Sequence, residues 1–288
     1  MVLFSDFHLH DGAARQSSRT HQNAIFEGYV REVLAMRPLP ANVVVFGDLS
    51  ATCGWKEDYL LVARTLKPLS DAGIDITFGM GNHDNRANFL VAFPDFRARM
   101  LMKDRIVSRI STPNADLILL DSLKTQPGRD WTKADGRGNP GEGEVSGAQL
   151  ELLRDMLAGA SRPTFVGAHH SAEECGIRKE IVRSRSVFGY IYGHLHEWGT
   201  RYLHDGTFSN PQTVQTATLP SAGYYGDLGY ATLRTFSDRA VLSLRQDDFF
   251  FSRQLPARPR PKNWAERVKM NANASVTFWY DKPGNVCI

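Results

Sequence analysis

The stretch Val43-Val44-Val45-Phe46-Gly47-Asp48 sets four consecutive apolar residues against a glycine and then a carboxylate. A run apolar at every position is what a strand covered on both faces requires. Ligands of open α/β sheets gather at the carboxyl ends of such strands. The same order recurs along the chain. Val2-Leu3-Phe4 precedes Ser5-Asp6, Ile74 to Phe78 precedes Gly81-Asn82-His83-Asp84, and Leu117 to Leu120 precedes Asp121-Ser122. Thr164 to Val166 leads to His169-His170, and Val187 to Tyr192 leads to Gly193-His194-Leu195-His196. The polar clusters are expected to converge in space.

Amphipathic stretches lie between these runs. Ile25, Phe26, Tyr29, Val30, Val33 and Leu34 paint one helical face. Ser146 with Gln149 is a capping-box pattern opening a helix through Leu150, Leu153 and Leu157, and Ser171 with Glu174 repeats the signal. Strand and helix alternate over about the first 200 residues, which predicts an α/β fold. Lys124 to Glu144 is rich in glycine, proline and charge and reads as a long loop beside the strand end at Asp121. Tyr230 to Phe236 and Ala240 to Leu244 read as a β-hairpin around Ser237-Asp238-Arg239. The expected organisation is one domain over 1–253 and a tail over 254–288. That tail holds a Pro/Arg-rich linker from Pro256 to Pro261, a helical candidate near Asn263 to Met270 and a strand-like Val276 to Tyr280.

Composition excludes more than it names. With 42% apolar and 23% charged residues, the chain is neither disordered nor fibrous in character. A net charge of +3 is too small for a nucleic-acid-coating surface and argues against a nucleic-acid partner. Cys53, Cys175 and Cys287 show no CxxC spacing, so neither a disulfide framework nor a cysteine zinc site is expected. No apolar run reaches membrane-span length, and residues 1–10 carry charged and histidine side chains where a signal peptide would be apolar. The expectation is a cytoplasmic protein without a membrane partner, with export left open for a processed or trimmed chain and a homo-oligomer allowed.

Carboxylate oxygens and imidazole nitrogens are the donors for hard or borderline divalent ions, and a two-metal site needs a bridging carboxylate. Asp6-Phe7-His8 offers an oxygen and a nitrogen that would share one face of a regular strand. Asp48 follows a glycine that lets the backbone turn into a cleft, and it is the candidate bridge. Asn82 offers an amide oxygen and His83 an imidazole, while His194 and His196 would share a face if extended. Any one of these fragments recurs by chance. Five of them in order, each after an apolar run, do not have that excuse.

The ordered set Asp-x-His, Gly-Asp, Gly-Asn-His-Asp, strand-end His and Gly-His-x-His resembles the signature series of calcineurin-like metallophosphoesterases. The resemblance covers about residues 2–245. Gly81-Asn82-His83-Asp84-Asn85-Arg86, the pair His169-His170, and Gly147-Ala148-Gln149-Leu150 after Leu120-Asp121-Ser122 look most like the bacterial cyclic-nucleotide and glycerophosphodiester phosphodiesterase branch. It implies a four-layer α/β/β/α sandwich, here with a C-terminal extension. It implies one metal on Asp6, His8, Asp48 and His196, and a second on Asp48, Asn82, His169 and His194. His83 would then assist the leaving oxygen as the catalytic acid. His169 is preferred over His170 because the first histidine of the pair aligns with the single one found in similar sequences. Ser171-Ala172 stands where similar proteins often carry proline.

Two divalent ions carry four positive charges, and Asp6, Asp48 and a bridging hydroxide cancel three, leaving about one for an anionic phosphoester by charge counting. The expected reaction is attack of that metal-bridging hydroxide on phosphorus, with His83 protonating the departing alkoxide. Two divalent or mixed-valence ions of iron, manganese or zinc suit the donors. A small phosphodiester is the expected substrate, with a phosphomonoesterase or nuclease as the alternative and a non-catalytic scaffold as the rival from another class. Arg178 and Arg183 on a basic run, and Tyr224 next to Tyr225, are candidate substrate contacts. Lys179 and Arg185 belong to the same run, and His10 and Asp11 could support the first motif from behind.

Overall fold

The computed structural model describes residues 1–12, 21–124, 141–206, 212–247 and 264–280. Two six-stranded sheets form the centre. The first takes β1 (Val2–Phe4), β2 (Asn42–Val45), β3 (Asp75–Phe78), β10 (Gly229–Thr235), β11 (Arg239–Gln246) and β12 (Ser275–Trp279) in the order β12-β11-β10-β1-β2-β3. The second takes β4 (Ser108–Ser111), β5 (Asp116–Leu119), β6 (Thr164–Ala168), β7 (Val187–Tyr192), β8 (Gly199–His204) and β9 (Thr213–Thr218) in the order β4-β5-β6-β7-β9-β8.

The side-chain period of two decides which way each apolar run faces. Parallel pairing sets Val2, Leu3 and Phe4 beside Val43, Val44 and Val45. Leu3, Val44 and Phe46 thus face inward and meet Leu117, Leu119, Phe165, Ile191 and Phe278 between the sheets. Val2, Phe4, Val43 and Val45 face outward under the helices α1 (His21–Ala35), α2 (Lys56–Asp71) and α3 (Arg86–Ala92), packing on Phe26, Tyr29, Tyr59, Val62 and Phe89. On the far side Ile118, Val166, Ala168 and Tyr190 pack under α4 (Gly147–Ala158) and α5 (Arg178–Arg183) through Leu153, Leu157, Ile181 and Val182. This is the expected α/β/β/α sandwich, and the strands of the unbroken apolar runs are covered on both faces.

The capping signals need correction. Ser146 does cap α4, its side chain accepting from the Gln149 N–H, but the Gln149 amide does not complete the box. It turns to the other sheet end, accepting from Asp121 N at 2.7 Å and donating to Asp121 O at 2.9 Å. Ser171 and Glu174 form the reciprocal pair, at 2.9 and 3.2 Å, yet cap only a turn, and helix starts at Arg178. The predicted hairpin is β10–β11, with Thr235 opposite Ala240. In the tail, α6 (Trp264–Asn271) leads to β12, which pairs with β11 and so joins the first sheet. Residues 125–140 of the long loop and the linker of 256–261 lie outside the described residues. Among the described residues no helix is long and apolar enough to cross a membrane.

Candidate metal centre

At the carboxyl ends of β1, β2 and β7 the backbone leaves the strand conformation abruptly. Asp6, His8, Asp48, His194 and His196 all have positive φ, between 45° and 66°, and Gly47 has φ 115°. Left-handed non-glycine residues cost energy and cluster at functional sites. They hold here because the loops after β1 and β2 run side by side, with Asp6 N donating to Gly47 O, His8 N to Asp48 O and Leu9 N to Leu49 O at 3.1, 3.0 and 2.8 Å. The strand-face reasoning for these residues is therefore overturned. Asp6 and His8 meet through alternate left-handed residues, and His194 and His196 separate into different neighbourhoods instead of sharing a face.

Asp6, His8, Asp48 and His196 form one group whose donor atoms lie within 4.8 Å of one another, and His169, His170 and His194 form another. Asp48 stands between them, with Oδ2 3.6 Å from His8 Nε2 and 3.2 Å from His169 Nε2. Asn82 Oδ1 is also 3.2 Å from His169 Nε2. The seven residues assigned to metals by the resemblance lie together in two adjoining groups, with Asp48 and Asn82 beside His169.

Hydrogen bonds fix the tautomers. His169 Nδ1 lies 3.2 Å from the Phe46 carbonyl and His196 Nδ1 3.2 Å from that of Tyr225. Carbonyls only accept, so both Nδ1 atoms carry hydrogen, and in the neutral ring Nε2 keeps a lone pair. His196 Nε2 then faces Asp6 Oδ1 at 3.2 Å and His8 Nε2 at 3.3 Å. Asp6 Oδ1 is buried without a hydrogen bond. Lone pairs facing one another in a dry site repel unless a cation or protons lie between them, so the donors present fit a bound ion.

The electrostatics of the ion-free chain agree. Burial opposes charge on Asp6, but His196 and His169 outweigh it and hold the carboxyl well below the usual range. Burial likewise opposes charge on Asp48, and His169 and His83 overcome it. Burial lowers His8 to about 3. On His169 burial acts against the imidazolium, but the Asp48 and Asp6 carboxylates prevail and raise it to about 9. The Asp48 and Asp6 carboxylates thus favour positive charge at His169, on the side where an ion would sit.

His83 sits beside this cleft, its ring 4.8 Å from that of His8. Its N–H donates to Asp48 Oδ1 at 2.8 Å, and its Nδ1 donates to Thr52 O at 2.9 Å. Sequence reading gave Asp84 no role, yet it ties two loops together. It accepts from Leu49 N at 3.1 Å, Ser50 N at 3.3 Å, Gly81 N at 2.9 Å and the Tyr59 hydroxyl at 2.9 Å. A Cβ at Gly81 would collide with the Asp48 carboxylate, so only glycine lets the Asn82 loop close on it. Arg86 clamps Asp121 through Nε at 2.6 Å and Nη2 at 2.8 Å, and also donates to Leu123 O.

Of the candidate substrate contacts, Tyr224 is at the centre, its ring 4.8 Å from His8 and its N–H donating to Ser221 Oγ at 2.9 Å. The arginines are not. Arg178 reaches toward Gly206, past the end of β8. Arg183 ends α5 four residues before β7 starts at Val187, while the histidines follow the far end of β7. That strand spans roughly 20 Å at about 3.3 Å per residue. A helix-borne charge run had to be read without knowing which strand end it would meet. His10 and Asp11 are tied to helices instead, through Asn23 and Asp58.

No protein-family model matches the chain. A curated protein of Psychrobacter arcticus, named a probable cyclic nucleotide phosphodiesterase, is 24% identical over 241 residues, which is 74% of this chain and 79% of that one. Among solved structures, the sulfate thiohydrolase SoxB of Thermus thermophilus is similar with a TM-score of 0.50 at 12% identity, over 94% of this chain and 59% of that chain. A predicted phosphoesterase of Streptococcus pneumoniae TIGR4 is similar with a TM-score of 0.39 at 12% identity, over 96% and 95%. The fold is thus similar to that of SoxB, and the sequence is similar to that of a protein named as a phosphodiesterase.

Proposed function

We propose that this chain is a hydrolase of small phosphodiesters that works with two metal ions. The observation that carries the reading is the position of Asp48, within 3.6 Å of His8 and 3.2 Å of His169, between two groups of ion-competent donors. Asp6, His8, Asp48 and His196 would hold one ion, and Asp48, Asn82, His169 and His194 the other. Bound ions supply a Lewis acid for phosphoryl oxygens and lower the pKa of water toward neutrality. Iron, manganese and zinc suit this mixture of carboxylate, amide and imidazole.

The chain's own residues supply the rest. With Nδ1 engaged by Thr52, His83 has Nε2 left to give a proton to the departing alkoxide. The Thr52 carbonyl accepts from Nδ1 whether the ring is neutral or charged, so the orientation survives proton transfer. Tyr224 offers an aromatic face beside His8 for the organic part of the ester.

The diester preference rests on charge and on where the arginines are. A monoester dianion calls for cations beyond the ions, and Arg178 and Arg183 are directed elsewhere. A diester carries one charge, close to what two ions, two carboxylates and a hydroxide leave over. Its alkoxide is also a poor leaving group that needs the proton from His83. The name of the Psychrobacter relative points the same way. The test is kcat/KM on one metal-loaded preparation for bis(p-nitrophenyl) phosphate against p-nitrophenyl phosphate, and for a cyclic nucleotide against its monophosphate. Diesters are expected to win both pairs. Consistent preference for the monoester would overturn the diesterase reading, and no hydrolysis at all would favour a scaffold.

A further inference from the structure

The motif resemblance leaves His170 without a role, although it is fully buried beside the cleft. Its ring centroid lies 4.7 Å from that of His169 and 4.6 Å from that of His194. Nδ1 is 2.9 Å from Ser122 Oγ, and Tyr190 donates to the His170 carbonyl at 2.7 Å. A Cβ at Gly143 would overlap the ring, so the chain after the long loop closes tightly on it. The imidazole is thus clamped from three sides. Its Nε2 is nevertheless buried without a hydrogen-bond partner. Leaving such an acceptor buried and unpaired is unfavourable unless something binds it.

We infer that His170 is a third imidazole ligand of the second ion, joining His169 and His194, with Ser122 holding its Nδ1–H. The inference rests on the two-ion reading and adds a ligand to it. Nitrogens about 2.1 Å from one ion can be at most about 4.2 Å apart. One nitrogen from each of the three rings falls within 4.8 Å of the others. Ser122 Oγ can accept from Nδ1–H, which leaves the Nε2 lone pair for the ion, as Phe46 O does for His169.

The consequence is an unequal pair. The first position has two carboxylates and two imidazoles, whereas the second has three imidazoles, an amide and only the shared carboxylate. The second ion keeps more of its positive charge and should favour zinc or iron over manganese, since imidazole suits the former and carboxylate the latter.

Two measurements test this on the full chain. Zinc titration of chelator-stripped wild type, His170→Gln and Ser122→Ala should show two ions per wild-type chain. His170→Gln should weaken the second by more than about a hundredfold, beyond the 10–100-fold that loss of an outer hydrogen-bond partner costs, and Ser122→Ala by about tenfold. Long-range proton–nitrogen NMR of histidine-labelled, zinc-loaded wild type needs no variant, and should show His170 protonated at Nδ1 with a metal-bound Nε2. A proton on Nε2 in that spectrum, or a His170→Gln chain that folds and binds both ions with wild-type affinity, would overturn the inference while leaving the two-ion reading intact. A wild-type chain that binds fewer than two ions would overturn both.

Discussion

His83→Ala removes no donor from either group of ion-competent residues, so both ions should stay bound. Turnover should fall by about a hundred- to ten-thousand-fold, the usual worth of a positioned proton donor. Metal analysis beside steady-state rates checks this, and stoichiometric loss of metal would make His83 a ligand. His169 gives a pH dependence. Its folded-state pKa of about 9 lies above the ordinary imidazole value, so below pH 9 the ion-free ring is protonated. Stability from the Asp48 and Asp6 pairing is complete below the ordinary value and is lost as pH rises through about 9. A metal ion must displace that proton, so its affinity should climb about tenfold per pH unit between pH 6 and 8, with release of about one proton from His169. Calorimetric titration with manganese in buffers of different ionisation enthalpy measures both; a pH-independent affinity would contradict it. At this scale residue type and order made legible which side chains gather at the strand ends. What stayed hidden was local backbone geometry. Five left-handed residues at Asp6, His8, Asp48, His194 and His196 cannot be read from strand periodicity, because a position two residues on shares a face only while the strand continues.

Elements meet through buried polar pins that carry no periodic signal. Asp84 joins the loop after β2 to the loop after β3, and Arg86 with Gln149 joins α3 and α4 to Asp121 at the end of β5. Asp84→Asn would turn an amide N–H against backbone donors, at a cost of roughly 2–3 kcal/mol. Denaturant unfolding should show that loss, and metal affinity should fall with it, because Asp48 and Asn82 lie on the two loops. An Asn variant of wild-type stability would show that Asp84 does not carry this load. The strands of the apolar runs were legible because burial on both faces leaves an unmistakable mark. β8 was not, since its pattern is mostly exposed, with only Leu203 buried. The Gln149 side chain was misread for another reason: a capping box is a local pattern, and a tertiary partner at Asp121 outcompeted it.

In the whole molecule, the tail gains a structural place through β12. Phe278 is buried between the sheets, its ring centroid 5.1 Å from that of Phe165. Phe278→Ala should therefore destabilise the entire fold by about 3–5 kcal/mol, as expected for a core aromatic. Thermal or denaturant unfolding reads this, and an unchanged midpoint would show that β12 does not contribute to the core. The sandwich matters to chemistry because it delivers strand ends from both sheets to one place: β1, β2 and β3 bring Asp6, His8, Asp48 and Asn82, while β6 and β7 bring His169, His194 and His196. Neither sheet alone holds a complete set. The most direct measurement is the rate of bis(p-nitrophenyl) phosphate hydrolysis as manganese is added back to chelator-stripped protein. The expected curve is silent without metal and rises to a plateau at two equivalents per chain. A rate independent of metal, or a plateau at one equivalent, would contradict the two-ion centre around Asp48.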